Sequence, residues 1–167
     1  MSAVIATVAG YEVSLAVHIA AVMIGFGATF AESLAFPVAM KMSPKYLPYV
    51  HRLQLAINRF LATPALAVVL ATGIYQVIDG NWSFGDAWIS ASFVIIIVVG
   101  GLLGAYFIPT DRKLGPMVEA EIEAAGDGEI KLSEEYLSKS RTEGIIGAAT
   151  GLLLVVAVFL MVLKPGA

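Results

Sequence analysis

Residues 87–108 read AWISASFVIIIVVGGLLGAYFI, and this stretch decides the fold. No Asp, Glu, Lys or Arg interrupts it. A helix rising ~1.5 Å per residue carries a run of this length across a bilayer core of about 30 Å. Three further stretches pass the same test: residues about 10–38, 53–78 and 143–163. Composition agrees, with 59% hydrophobic and 14% charged residues, where soluble domains carry roughly 25% charged. The expectation is an all-α polytopic membrane protein. It would be an antiparallel four-transmembrane-helix bundle forming a single membrane domain over residues 1–167.

Charge placement orients the bundle. Of the 10 Lys and Arg residues, all but Lys164 fall in or beside the first and third connections. The first connection and its helix entry hold Lys41, Lys45, Arg52 and Arg59. The third holds Arg112, Lys113, Lys131, Lys139 and Arg141. The positive-inside rule therefore predicts that loops 1 and 3 are cytoplasmic and both termini outside. Residues 1–11 contain no basic residue and lead into a long apolar run, so they read as part of an uncleaved span rather than a signal peptide. Trp82 and Trp88 flank the second connection, where an outer aromatic belt belongs.

Residues 110–141 are the one sizeable polar segment. Leu114, Met117, Val118 and Ile122 recur at helical spacing, so span three is expected to continue past Pro109 as an amphipathic helix. Gly126-Asp127-Gly128 then turns the chain. A second helix is expected to begin at Ser133, which can cap it while Glu134 and Glu135 favour the positive end of its dipole. The segment reads as a cytoplasmic helical hairpin.

Within the spans, small residues recur four apart: Ala21/Gly25, Gly27/Ala31, Gly100/Gly104, Gly144/Ala148 and Gly147/Gly151. Such pairs let helix backbones approach closely in lipid, so a compact bundle is expected, with some of the pairs reflecting only how common Gly and Ala are in spans.

Ionisable residues inside a span cost roughly 2.5–3.5 kcal/mol each on insertion scales and need a reason. In span one Tyr11, His18, Gly25 and Glu32 lie seven apart and share a face, which should look into the bundle. At the start of span two His51, Gln54 and Asn58 share one face, and Arg52 and Arg59 another. Antiparallel packing brings Glu32, Asn58, Arg59 and Glu143 to one depth, so Arg59 is expected to pair with Glu32 or Glu143. Such a pair can be purely structural, or it can mark a proton or anion site. At its own depth His18 can hydrogen-bond Thr72 or Tyr75, or it can ligate haem iron. His51 lies towards the opposite face, which argues against a bis-histidine haem within one chain.

Other chemistries fail on residue type. There is no Cys, so disulfides, iron–sulfur clusters and thiolate metal sites are out. No basic stripe suggests nucleic acid. Residues 123–134 loosely follow a calcium loop, but the third position is Ala125, which offers no side-chain ligand. No Gly-x-Ser-x-Gly nucleophile motif occurs. Nor is there a matched pair of Gly/Pro-broken half-helices of the transporter kind, since Pro64 alone is read as internal to a span.

The sequence resembles the bacterial integral membrane family catalogued as domain of unknown function 2269. The residues that carry the resemblance are His18-Ile19-Ala20-Ala21-Val22 with Gly25, Arg59-Phe60, Pro64-Ala65, Thr72-Gly73, Trp82-Ser83-Phe84-Gly85-Asp86 with Trp88, Pro109, Arg141 and Lys164-Pro165-Gly166. That resemblance implies four spans in a bacterial cytoplasmic (inner) membrane and no assigned activity. Span one is also distantly similar to HemJ-type and CopD-like four-helix membrane proteins, in which a His early in the first span is thought to serve haem or metal. It implies His18 as a haem b ligand.

Three readings follow. The first is a non-enzymatic subunit or scaffold in the lipid bilayer, docking a membrane-protein partner or a second copy of itself. The second is a haem-b redox protein using His18. The third is a proton or small-solute pathway through Glu32, Asn58 and Arg59.

Overall fold

The computed structural model describes residues 2–166, and among these the chain is helical with no strand. Four rods make the molecule. The first is α1 (Ser2–Met42). After a single 3-10 turn at Pro44–Tyr46, the second rod joins α2 (Leu47–Ile57) to α3 (Thr63–Asp79). The third joins α4 (Ala87–Leu102) to α5 (Ile108–Ala125). The fourth is α6 (Glu134–Leu163). Each rod has the length and apolar character of a membrane span.

The rods pack in a ring: α1 on α3, α3 on α4, α4 on α6 and α6 back on α1. Neighbours run antiparallel, as the side-chain contacts establish. Gly10 lies against Tyr75, Gly25 against Ala65 and Gly100 against Leu66. The outer surface is apolar: Met23, Ile97 and Val162 are 69%, 65% and 73% exposed. In water such a surface would aggregate, because soluble monomers rarely expose apolar patches beyond a few hundred Å². In lipid it is the expected boundary.

Two rods are widened where proline follows. In rod two, the Thr63 N–H bonds the Asn58 carbonyl five residues back, closing a π turn at Asn58–Ala62. Pro64, next in line, has no N–H to donate. Rod three repeats the device: the Ile108 N–H bonds the Leu103 carbonyl across Leu103–Phe107, with Pro109 following. Pro37 also lies inside α1 and Pro116 inside α5. The expectation that Pro64 alone is internal is therefore corrected. Pro37 lies near the end of the first apolar stretch and the helix continues past it to Met42, while Pro116 is taken in because the third rod runs on well beyond its apolar stretch.

The polar third connection forms its two helices where the spacing predicts them. Ser133 Oγ accepts the Tyr136 N–H at 3.1 Å, and Gly126 turns the chain at φ +52°. The hairpin is no separate unit, however. α5 continues rod three, and α6 runs unbroken from Glu134 into span four. A buried cluster of Ala39, Leu47, Val50, Leu114, Val118 and Tyr136 fastens it to α1 and α2.

The small residues divide into two groups. A Cβ at Gly25 would fall 2.9 Å from Ala65 Cβ, and one at Gly100 3.0 Å from Leu66 Cδ2, so these positions set close helix contacts. Gly27, Gly104 and Gly144 have nothing within 4 Å. Gly144, Gly147, Ala148 and Gly151 line a cavity instead. Small side chains permit close approach but also leave space where the facing helix does not close in.

Gly25→Val should therefore destabilise the detergent-solubilised protein by about 1–3 kcal/mol through overpacking. Gly27→Val should leave its thermal unfolding unchanged. Equal effects of the two substitutions would contradict the packing described.

Candidate cation site between the rods

The cavity lined by those small residues has a volume of about 660 Å³ and lies between α1 and α6, backed by the two widened rods. Most of its wall is apolar, including Phe26, Phe30, Val99 and Leu154. Its polar end collects Glu32, Gln54, Asn58, Asp111, Ser140 and Glu143. This end lies where connections one and three are.

Each group arrives by helix geometry. His51, Gln54 and Asn58 are spaced three and four apart and fall on one face of α2 as it enters the π turn. Asp111 stands two residues beyond Pro109, on the first turn of α5. Glu143 lies on α6 one turn beyond Ser140, and Glu32 reaches in from α1. His51, Asn58, Asp111 and Glu143 are 1%, 5%, 2% and 9% exposed.

The hydrogen bonds position the cluster without completing it. Asn58 Nδ2 donates to Asp111 Oδ2 at 3.0 Å. His51 Nε2 lies 2.8 Å from the hydroxyl of the fully buried Tyr136. The two rings meet edge-on at 86°. With its proton on Nε2, His51 donates to Tyr136 and keeps the Nδ1 lone pair free. That Nδ1 lies 4.0 Å from Asp111 Oδ1, too far for a hydrogen bond. Glu32 Oε2, His51 Nδ1, Gln54 Oε1, Asp111 Oδ1 and Ser140 Oγ are buried without a partner. With His51 protonated on Nε2 and the acids ionised, all of these atoms offer lone pairs, and the Ser140 hydroxyl also carries a proton to give. An unpartnered buried polar atom ordinarily costs about 1–3 kcal/mol, so a cluster of them calls for partners such as water or an ion.

No basic side chain answers these acids. Arg59 is exposed and lies over the ring of its own neighbour Phe60, 5.6 Å from the centroid. The expected pair with Glu32 or Glu143 is absent from the ion pairs among the described residues. Depth along the rod suits it, but Asn58 takes the inward direction and the next residue points about 100° away around the helix. There a long side chain can carry its charge to the surface. Arg52 pairs with Glu119 and Lys139 with Glu135, each at 2.6 Å on exposed surface outside the cavity.

His18 belongs elsewhere. It lines a second cavity of about 380 Å³, towards the second connection, with Tyr11, Gln76, Trp82 and Trp88. Its Nδ1 lies 2.8 Å from Thr72 Oγ1, one of the two partners expected at its depth. The Thr72 hydroxyl donates to the Val68 carbonyl at 2.6 Å, so its oxygen accepts from His18 Nδ1–H. A buried layer of Ala21, Val69 and Ile96 separates the two cavities. Of the face shared by Tyr11, His18, Gly25 and Glu32, the first two residues line one cavity and the last two the other.

The family model described as a predicted integral membrane protein (DUF2269) matches residues 12–165. The chain belongs to this family. No curated protein and no solved structure matches it. For this DUF2269 chain the site therefore has to be read from its own residues. Sequence reasoning named Glu32, Asn58 and Glu143, and the structure brings these three together. It missed Asp111, which was counted with the polar connection because span three was ended at residue 108. It placed His51 and Gln54 on the Asn58 face but did not carry them into the site.

Buried acids without bases destabilise the bundle that holds them. In cation-free buffer Glu143→Gln, which keeps the shape and removes one acid, should raise the thermal unfolding temperature. A clear fall would show that Glu143 serves as a structural tie.

Proposed function

We propose that this integral membrane protein binds a cation inside its bundle, in the acidic end of the cavity bounded by α1, α2, α5 and α6. One observation carries the reading. Three carboxylates and an imidazole converge there, with Glu32 Oε2, Asp111 Oδ1 and His51 Nδ1 unpartnered, and no Lys or Arg among the described residues pairs with them. Taking such charges out of water costs roughly several kcal/mol per ion unless a counter-charge is supplied. With connections one and three in the cytoplasm, as the basic residues argue, the site faces the cytoplasmic side of a bacterial inner membrane.

The scaffold reading is supported by the apolar outer faces, but lipid requires those faces equally, and it gives the acids no purpose. The pathway reading shares Glu32 and Asn58 with this proposal. It needs a continuous route, which the Ala21–Val69–Ile96 layer interrupts, and Arg59 stands outside it. Binding therefore ranks ahead of passage.

A cation that binds only the folded state stabilises it by ~2.7 kcal/mol at 100-fold excess over its Kd. Scanning unfolding of the purified protein against mono- and divalent cations should find at least one that raises the midpoint. The rise should be lost in Glu143→Gln. A wild-type midpoint that no cation moves would overturn the proposal.

A separate observation favours a second ligand. With Nδ1–H of His18 held by Thr72, Nε2 keeps its lone pair beside the 380 Å³ cavity, an arrangement suited to an axial haem b ligand. The visible spectrum after expression with haem supplied decides it. A Soret band lost in His18→Ala supports haem, and a colourless wild-type preparation retires it.

A further inference from the structure

We infer that the bound cation is a first-row divalent transition metal held by His51 Nδ1 and by the carboxylates of Asp111 and Glu143. The inference rests on the cation-binding reading and names the cation's class and its ligands. The ligand atoms of these three buried residues all lie within 4.8 Å of one another. Metal–nitrogen and metal–oxygen bonds of about 2.0–2.2 Å place neighbouring ligand atoms about 3–3.5 Å apart. Side-chain movements on the order of 1 Å therefore close the triangle onto an ion.

Orientation is the second support. A metal-binding imidazole ordinarily gives its other N–H to an oxygen, which fixes the tautomer and the ring plane. Tyr136 Oη stands at that position for His51, 2.8 Å from Nε2. Ligating carboxylates are likewise held by hydrogen bonds, and Asn58 holds Asp111 by Oδ2. The atoms left unpartnered, His51 Nδ1 and Asp111 Oδ1, are the ones that face each other. The cluster has both its lone pairs and the contacts that aim them.

Charge and donor type select the ion. Two carboxylates and a neutral imidazole carry two negative charges, which a divalent ion cancels in a setting where residual charge is costly. A monovalent ion leaves one charge over. Calcium and magnesium prefer oxygen-only shells. Copper(I) prefers sulfur ligands, and no Cys is present. One nitrogen with two carboxylates suits manganese, iron, cobalt or zinc in the divalent state. Gln54, with an unpartnered buried oxygen beside the same cavity, can add a ligand without adding charge. Three protein ligands leave further coordination positions towards the cavity.

The test uses the full chain in mild detergent, stripped with a chelator and reloaded with Mn²⁺. Electron spin-echo modulation should detect one imidazole nitrogen coupled to the ion in the wild type, a result that depends on no variant. The coupling should vanish in His51→Gln and persist in His18→Gln. Asp111→Asn and Glu143→Gln should each weaken Mn²⁺ binding by at least 10-fold. Tyr136→Phe should weaken it roughly 10-fold, as loss of a ligand-orienting contact does. Mn²⁺ bound without nitrogen coupling, or coupling that survives His51→Gln, overturns the assignment. Midpoint shifts with Na⁺ or K⁺ but none with Mn²⁺, Co²⁺ or Zn²⁺ also overturn it and leave the cation-binding reading standing. No response to any cation removes both.

Discussion

A polar atom inside a bilayer has only the protein to bond with. The four rods meet this demand for the backbone by being helical throughout, since helices close their own hydrogen bonds. They meet it for most interior side chains as well. His18 finds Thr72, Asn58 finds Asp111, and Thr63, Thr72, Ser92 and Thr150 return their hydroxyls to carbonyls on the preceding turn. Against that order, the lone pairs left over around Glu32, His51, Gln54 and Asp111 stand out. They are concentrated in one place, and nearly all of them ask for positive charge.

The architecture makes room for that place. Two rods carry a π turn just before a proline, and both turns border the cavity: Asn58 opens one, and Leu103 and Phe107 bound the other. Such insertions into otherwise regular helices recur at functional sites because they re-aim side chains. Beyond the turns, α2 and α5 extend past the apolar layer and are clamped by the cluster around Leu47, Leu114 and Tyr136. This clamp keeps the polar end rigid although it lies near the end of the bundle. Tyr136 serves twice, filling the clamp with its ring and holding His51 with its hydroxyl.

The four spans were legible because residues 87–108 and their counterparts have few or no charges, and the bilayer sets a length to compare them with. The Ser133 cap and the helix after Pro109 were legible from local chemistry. Of the site, Glu32, Asn58 and Glu143 could be found from their depth alone. Arg59 shows the limit of that method, because depth says nothing of direction around the rod, and one residue of rotation sends its charge outward. Asp111 was hidden for a different reason: the apolar run stops at residue 108 while the helix continues into α5. Hydropathy marks where the membrane should end, and it is silent on where the bundle ends. The repeated glycines of α6 do not say which of them packs: Gly144 has open space beside it while Gly151 lies against Phe30, a distinction that depends on the partner helix rather than on their own sequence.

The role proposed for the acidic end of the cavity is to hold a divalent metal ion. Anomalous diffraction from crystals grown with Mn²⁺ or Zn²⁺, recorded either side of the metal's absorption edge, tests it most directly. One strong anomalous peak enclosed by His51, Asp111 and Glu143 is expected. A map whose only peaks lie on the exposed surface would contradict it.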